Sequence, residues 1–231
     1  MSSSSSPLRA VFFDLGGTLI DERNPEAWVE CASASGIEVE PDGLMHAFGE
    51  VEGENDAVGN SWGAEKFWGR VLDRASGREV DTHRVRGFVA CIRERGSAVH
   101  LFSDVRRCLQ SVKKSGYRLG IISNSQSEAW VRAVLSKVRI LNYFEAVISS
   151  GTEGVAKPDA EIFHRGLSRL GIRAPEAYHV GNLAHVDAKA AMAAGLHAVW
   201  LHRDGTGFGE DPPEITSLSE LPGELAALRP R

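Results

Sequence analysis

The sequence predicts an α/β fold built on a doubly wound parallel sheet, with a helical domain inserted into it, and three observations carry that prediction. Short continuous apolar runs bounded by turn residues recur along the chain, which is the pattern of strands covered on both faces. From Asp104 onward these runs alternate with segments of helical period at short spacing, as in a sheet with helices on both sides. Between about residues 21 and 98 the helical period persists but no convincing strand occurs.

Ala10-Val11-Phe12-Phe13 is the first strand, and it runs into Asp14-Leu15-Gly16-Gly17-Thr18-Leu19, a turn rich in glycine. In a parallel sheet ligands bind beyond the carboxyl ends of the strands, so Asp14 is placed to face a ligand; the alternative is an Asx-turn that accepts the N–H groups of Gly16 and Gly17. Four helices are expected around Trp28 to Ala34, Leu44 to Val51, Phe67 to Ala75 and Val85 to Ile92. This segment leaves the sheet directly after the Asp14 turn, so it is expected to cap the site. Leu119 to Ser123, Ala146 to Ser149, Ala177 to Val180 and Ala198 to Leu201 are the next strands. Helices are expected over Trp130 to Val138, over Ile162 to Leu170 with Asp159 as N-cap, and over Asp187 to Ala194, stopped by Gly195. The expected organisation is a disordered tail at 1–7, a core formed by 8–20 and 99–209, a helical cap at 21–98, and a C-terminal tail at 210–231.

Ordinary globular composition, with 42% apolar and 25% charged residues among 231, allows one large core plus a smaller domain. A net charge of −5 without a long basic run argues against nucleic acid as the main partner. No stretch of apolar residues is long enough to span a membrane. Cys31, Cys91 and Cys108 are odd in number, widely spaced and free of any C-x-x-C pattern, and are read as reduced thiols of a cytoplasmic protein that hold no metal. Oligomeric state is not legible.

Four segments fall at the carboxyl ends of successive strands: FFDLGGTLI, IISNS, GVAKPD and VGNLAHVD. Together, in this order and spacing, they resemble the four motifs of the haloacid dehalogenase-like (HAD) hydrolases, in the branch with a helical cap inserted after the first motif. The resemblance runs from about Leu8 to Leu201 and implies a Rossmann-like core. It implies that Asp14 is the nucleophile, forming a covalent aspartyl intermediate, and that Thr18 braces its loop. Ser123 and Asn124 would hold the phosphoryl oxygens, and Lys157 would offset charge in the transition state. Mg²⁺ would be held by Asp14, the Gly16 carbonyl, Asn182 and Asp187, and the partner would be a small phosphorylated molecule.

The chain departs from the family pattern twice. Gly16 stands where most phosphatases of the family carry a second aspartate that acts as general acid. Asn182 stands where a metal-ligating aspartate is usual, so Asp14, Asp187 and Lys157 leave a formal charge of −1 and a weakened attraction for Mg²⁺. Low-pKa leaving groups suffer least from a missing acid. Three functions therefore stay open: a Mg²⁺-dependent phosphatase, a 2-haloacid dehalogenase, and a HAD-fold binding protein with impaired catalysis. His185 could replace the lost base, though solvation is its ordinary fate; His179 reads as packed. In the cap, Arg23, Asn24, Asn60, Trp62, Lys66 and Arg70 could read a substrate, but none is assigned.

Overall fold

A computed structural model describes residues 8–58, 62–95, 99–203 and 212–227. The chain divides into two compact units, Met1–Asp21 with His100–Arg231, and Glu22–Val99. The N-terminal segment read as a tail, and Asn60 in the second unit, lie outside the described residues.

The first unit is a parallel six-stranded sheet flanked by helices. Its chain begins with β1 (Ala10–Phe13) and β2 (Ile20–Asp21). The second unit then supplies α1 (Pro25–Ala34), α2 (Pro41–Ala57), α3 (Ala64–Ser76) and α4 (Thr82–Arg95). Back in the first unit come β3 (His100–Leu101), α5 (Val105–Lys114), β4 (Arg118–Ser123), α6 (Glu128–Lys137), β5 (Ala146–Ser149), the single turn α7 (Ser150–Glu153) and α8 (Ala160–Leu170). β6 (Ala177–Gly181) leads through a wide π-type turn, Ala184–Lys189, into α9 (Ala190–Ala193). The chain closes with β7 (His197–Leu201), β8 (Glu214–Ile215) and α10 (Leu221–Ala227).

The strand order is β5-β4-β1-β6-β7-β8, with every pairing parallel. β1 lies centrally, paired to β4 on one side and β6 on the other, and all four of its residues are buried. Its continuous apolar run is the consequence of that position: Phe12 joins Ile122, Ile148, Ile162, Phe163 and Leu167 in one cluster. The chain order reverses on the two sides of β1, so the crevice for a ligand falls at its carboxyl end.

The second unit has its own core around Trp28, Leu44, Val51, Trp68, Val71, Leu72 and Phe88. Trp68 sits in an aromatic stack, its ring centroid 4.9 Å from Trp28 and 5.0 Å from Phe88. Asn24, one of the candidate substrate readers, caps α1 by accepting the Ala27 N–H. Trp62 carries the Lys66 ammonium and the Arg70 guanidinium over its ring.

Several features differ from the sequence reading. Asp21 and His100 pair in a two-stranded antiparallel ribbon, β2-β3, too short to leave a periodicity in the sequence. The C-terminal tail, read as a terminal helix or loose coil after Pro212-Pro213, carries the helix α10, and β8 is an addition that extends the sheet next to β7. The reduced-thiol reading is corrected: Cys31 and Cys91 form a disulfide, whereas Cys108 is free and buried. Their sequence separation of 60 hid the pairing, because only the packing of α1 beside α4 brings the two Cα atoms to 5.6 Å. That disulfide removes the thiol argument for a cytoplasmic setting. Among the described residues, no helix is long and apolar enough to cross a membrane.

Candidate active site

Asp14 is the residue after β1, and its N–H donates to the Val180 carbonyl of β6, so the central strand pairing extends to the residue that matters. Ser123 is the last residue of β4, Lys157 lies in the loop between α7 and α8, and Asn182 to Asp187 follow β6. The sheet order thus gathers residues spread over most of the chain at one edge. Asp14, Thr18, Ser123, Lys157 and Asp187 are all buried.

Lys157 joins the parts. Its Nζ donates to Asp14 Oδ1 at 2.6 Å and to Asp187 Oδ1 at 2.6 Å. Burial alone would lower the lysine pKa, but the two carboxylates reverse that and hold it above its ordinary value, so it is charged throughout the neutral range. The two carboxylates share this one ammonium unequally. Asp187 also accepts the His179 Nε2–H at 3.0 Å and the Leu183 N–H at 3.1 Å. Burial would raise its pKa, but the Lys157 ammonium first, and His179 after it, overcome that and hold Asp187 far below the usual range. Asp14 is pushed upward, chiefly by burial and further by the Asp187 charge, with Lys157 only partly offsetting both.

Asn124, read as a phosphate contact, spends its side chain on Lys157. Its Nδ2 donates to the Lys157 carbonyl and its Oδ1 accepts the Lys157 N–H, both at 2.8 Å. This two-point clasp fixes the backbone from which the ammonium projects, and the Lys157–Pro158 peptide within it is cis.

The Asp14 turn depends on Gly17, whose φ of +72° lies in the left-handed region. A Cβ there would stand 2.5 Å from Asn182 Nδ2, so the Asn182 side chain lies directly over the glycine. Thr18 Oγ1 reaches Asn182 Oδ1 at 3.3 Å, a long bond that links the first and fourth motifs. Gly17→Ala is expected to cost about 1–3 kcal/mol in a urea melt, from backbone strain plus displacement of Asn182. An unchanged melt would remove the steric account of this turn.

Sequence reasoning missed the partnership of His179 with Asp187. The ring is fully buried in β6, and burial outweighs the carboxylates to push its pKa down, so the neutral ring donates through Nε2. Its Nδ1 has no hydrogen-bond partner among the described residues. The sequence signal was present, since His179 and Asp187 flank the Gly181 turn, but a histidine inside an apolar strand reads as packing. His185, weighed as a replacement base, is half-buried in the π-type turn. Also missed was Arg203, two residues past β7, which donates to the Gly17 and Thr18 carbonyls.

Buried between strand ends, a carboxylate is held against an ammonium, with a hydroxyl at the end of the neighbouring strand, and such a set has the chemistry to offer a nucleophile, a charge-neutralising group and a polar contact. Comparison with known proteins gives the chain a family. A family model described as haloacid dehalogenase-like hydrolase matches residues 8–195. A glyceraldehyde 3-phosphate phosphatase of Methanothermobacter thermautotrophicus is 24% identical over 217 residues, covering 91% of this chain and 93% of the relative. A phosphoglycolate phosphatase of Nitrosospira multiformis is 27% identical over 231 residues, covering 96% and 95%. A putative HAD-hydrolase of Bacillus subtilis, solved bound to magnesium, shares the fold with a TM-score of 0.71 at 18% identity, covering 95% of this chain and 99% of that one. With the family model spanning most of its length and these motifs brought together at one sheet edge, the chain belongs to the haloacid dehalogenase-like hydrolases.

Proposed function

We propose that this hydrolase is a phosphatase acting on a small phosphorylated metabolite through an aspartyl-phosphate on Asp14. The observation that carries the reading is Lys157 Nζ at 2.6 Å from both Asp14 and Asp187, at the carboxyl end of the central strand. Relatives named as phosphatases of glyceraldehyde 3-phosphate and phosphoglycolate, similar over nearly their whole length, support it.

In the proposed reaction an Asp14 carboxylate oxygen attacks phosphorus, the P–O bond to the leaving group breaks, and the leaving oxygen takes a proton from water. A second water then cleaves the aspartyl-phosphate, releasing inorganic phosphate and restoring the carboxylate. Lys157 holds Asp14 in place and neutralises charge on the transferring group, and Ser123 and nearby backbone N–H groups hold its oxygens. The donor set fits a Mg²⁺ ion, since Asp14, the Gly16 carbonyl, Asn182 and Asp187 all offer hard oxygens. The fit is weak, because one donor is a neutral amide and Lys157 already occupies one oxygen of each carboxylate. When bound, the ion would add positive charge against the phosphoryl oxygens.

Gly16 offers no proton to the leaving oxygen. Acyl and aryl phosphates should therefore be hydrolysed faster than alkyl phosphates by about 10²- to 10⁴-fold, the usual value of a positioned acid. Gly16→Asp should narrow that gap, and Asn182→Asp should tighten Mg²⁺ in a calorimetric titration. Phosphate release from a panel with excess Mg²⁺ is the direct test. A parent inert on every member, with activity gained only in the double variant, would make this chain a binding module.

A further inference from the structure

We propose that Arg203 is a positioning residue, a latch that holds the Gly17 and Thr18 carbonyls and thereby fixes the turn presenting Asp14 and the Gly16 carbonyl. The catalytic benefit rests on the phosphatase reading; the latch itself does not.

Two glycines in succession, Gly16 and Gly17, let the chain turn sharply after Asp14 but leave that turn with large conformational entropy to lose. Within the turn, the N–H of Gly17 donates to the Ile20 carbonyl, and those of Leu19 and Ile20 donate to Leu15. The carbonyls of Gly17 and Thr18 point the other way and meet a guanidinium. Arg203 Nη2 donates to the Thr18 carbonyl at 2.8 Å and Nε to the Gly17 carbonyl at 3.3 Å. No other side chain of the described residues donates to these two carbonyls.

The guanidinium is itself held on two further sides. Its Nη1 and Nη2 donate to Asp104 Oδ2 and Oδ1 at 3.0 and 3.2 Å, the fork-to-fork pairing that arginine alone provides. Its plane lies over Phe102, with Cζ 3.9 Å from the ring centroid. Asp104 also accepts the Ser217 Oγ–H and the Leu218 N–H, each at 2.9 Å. The latch is thus anchored by the segment before α5 and by the loop after β8. The same stretch of chain supports the fourth motif, because Trp200 Nε1, in β7, donates to the Asn182 carbonyl at 2.9 Å.

The electrostatics decide what such a latch can do. Arginine and aspartate together carry no net charge, so the pair adds little attraction for an anionic substrate. Its effect is geometric: a turn held within a fraction of an ångström of its reacting position contributes to kcat, whereas substrate affinity is set elsewhere. A lysine at 203 could reach one carbonyl as a point charge but could not grip two carbonyls and a carboxylate together.

Two readouts test this, one independent of catalysis. Amide hydrogen exchange of residues 15–20 reports the order of the turn directly: Arg203→Gln should exchange at least about tenfold faster there, with Arg203→Lys intermediate. In parallel, kinetics on acetyl phosphate and p-nitrophenyl phosphate should show kcat reduced about 10- to 100-fold at little-changed KM, with partial recovery on adding free guanidinium to the glutamine variant. If Arg203→Gln does not fold, the lysine variant and Asp104→Asn carry the same comparison. Unchanged exchange at residues 15–20 overturns the latch, and faster exchange with kcat intact or with KM alone affected overturns its positioning role in catalysis. Faster exchange in a protein whose parent releases no phosphate keeps the structural latch and sinks the phosphatase reading.

Discussion

Replacing Asp14 by Asn is expected to remove phosphate release by about 10⁴-fold or more, as loss of a nucleophile does elsewhere, while leaving the protein as stable as the parent or more so. The two halves of this result come from one geometry. The amide keeps an oxygen for the Lys157 ammonium but cannot form an aspartyl-phosphate. Asp14 in the parent is pushed above its ordinary pKa, first by burial and then by Asp187, so the folded state favours its protonated form. A carboxyl whose folded pKa is raised makes the fold gain stability as pH falls through that value, and its charge costs stability above it. A neutral isostere relieves that cost, and melting temperature should stay level or rise by a few degrees. Activity retained in this variant would rule out Asp14 as nucleophile.

Lys157→Met should produce the opposite stability result. Removing the ammonium breaks two bonds of 2.6 Å and leaves two buried carboxylates facing each other. Uncompensated burial of this kind costs about 3–5 kcal/mol, and kcat should fall by about 10²- to 10³-fold with the loss of an electrostatic contact to the transferring group. In the parent, the raised lysine pKa means its stabilisation is complete below the ordinary lysine value and is lost only as pH rises through the higher folded value. The variant should behave differently, because a shared proton relieves the carboxylate pair. Its stability should therefore recover as pH is lowered from about 7 towards 5. Urea melts across that range check the sign, and the Asp14→Asn/Lys157→Met double variant should be less destabilised than the single one by about 0.5–3 kcal/mol. A pH-independent melt would mean the carboxylates are not coupled.

What could be read in the sequence divides along physical lines. β1, β4, β5, β6 and β7 were legible because a strand buried on both faces must be a continuous apolar run, and the helices of the second unit because an apolar stripe recurs at helical spacing. The ribbon of Ile20–Asp21 with His100–Leu101 was not, since two residues carry no period. The π-type turn at Ala184–Lys189 hid inside an expected helix. At the site, His179 meets Asp187 side chain to side chain yet read as packing inside an apolar strand, whereas Asp14, Lys157 and Asp187, which converge, were legible through their motifs. Residues that act on backbone were not. Asn124 clasps the Lys157 main chain, and Arg203 reaches carbonyls about 185 positions away in sequence, a contact that leaves no mark on local composition. The disulfide was missed for the same reason, since it reflects which helices are neighbours.

That disulfide has a wider consequence. It staples the first helix of the Glu22–Val99 unit to the last, next to the points where the chain enters and leaves. Closing a span of 60 residues removes about 4 kcal/mol of denatured-state freedom on the chain-entropy model. Its integrity thus need not be borrowed from the sheet. An insert sealed near its own ends is a cassette: evolution, or an engineer, can exchange it between the same two splice points without rebuilding the sheet that carries Asp14.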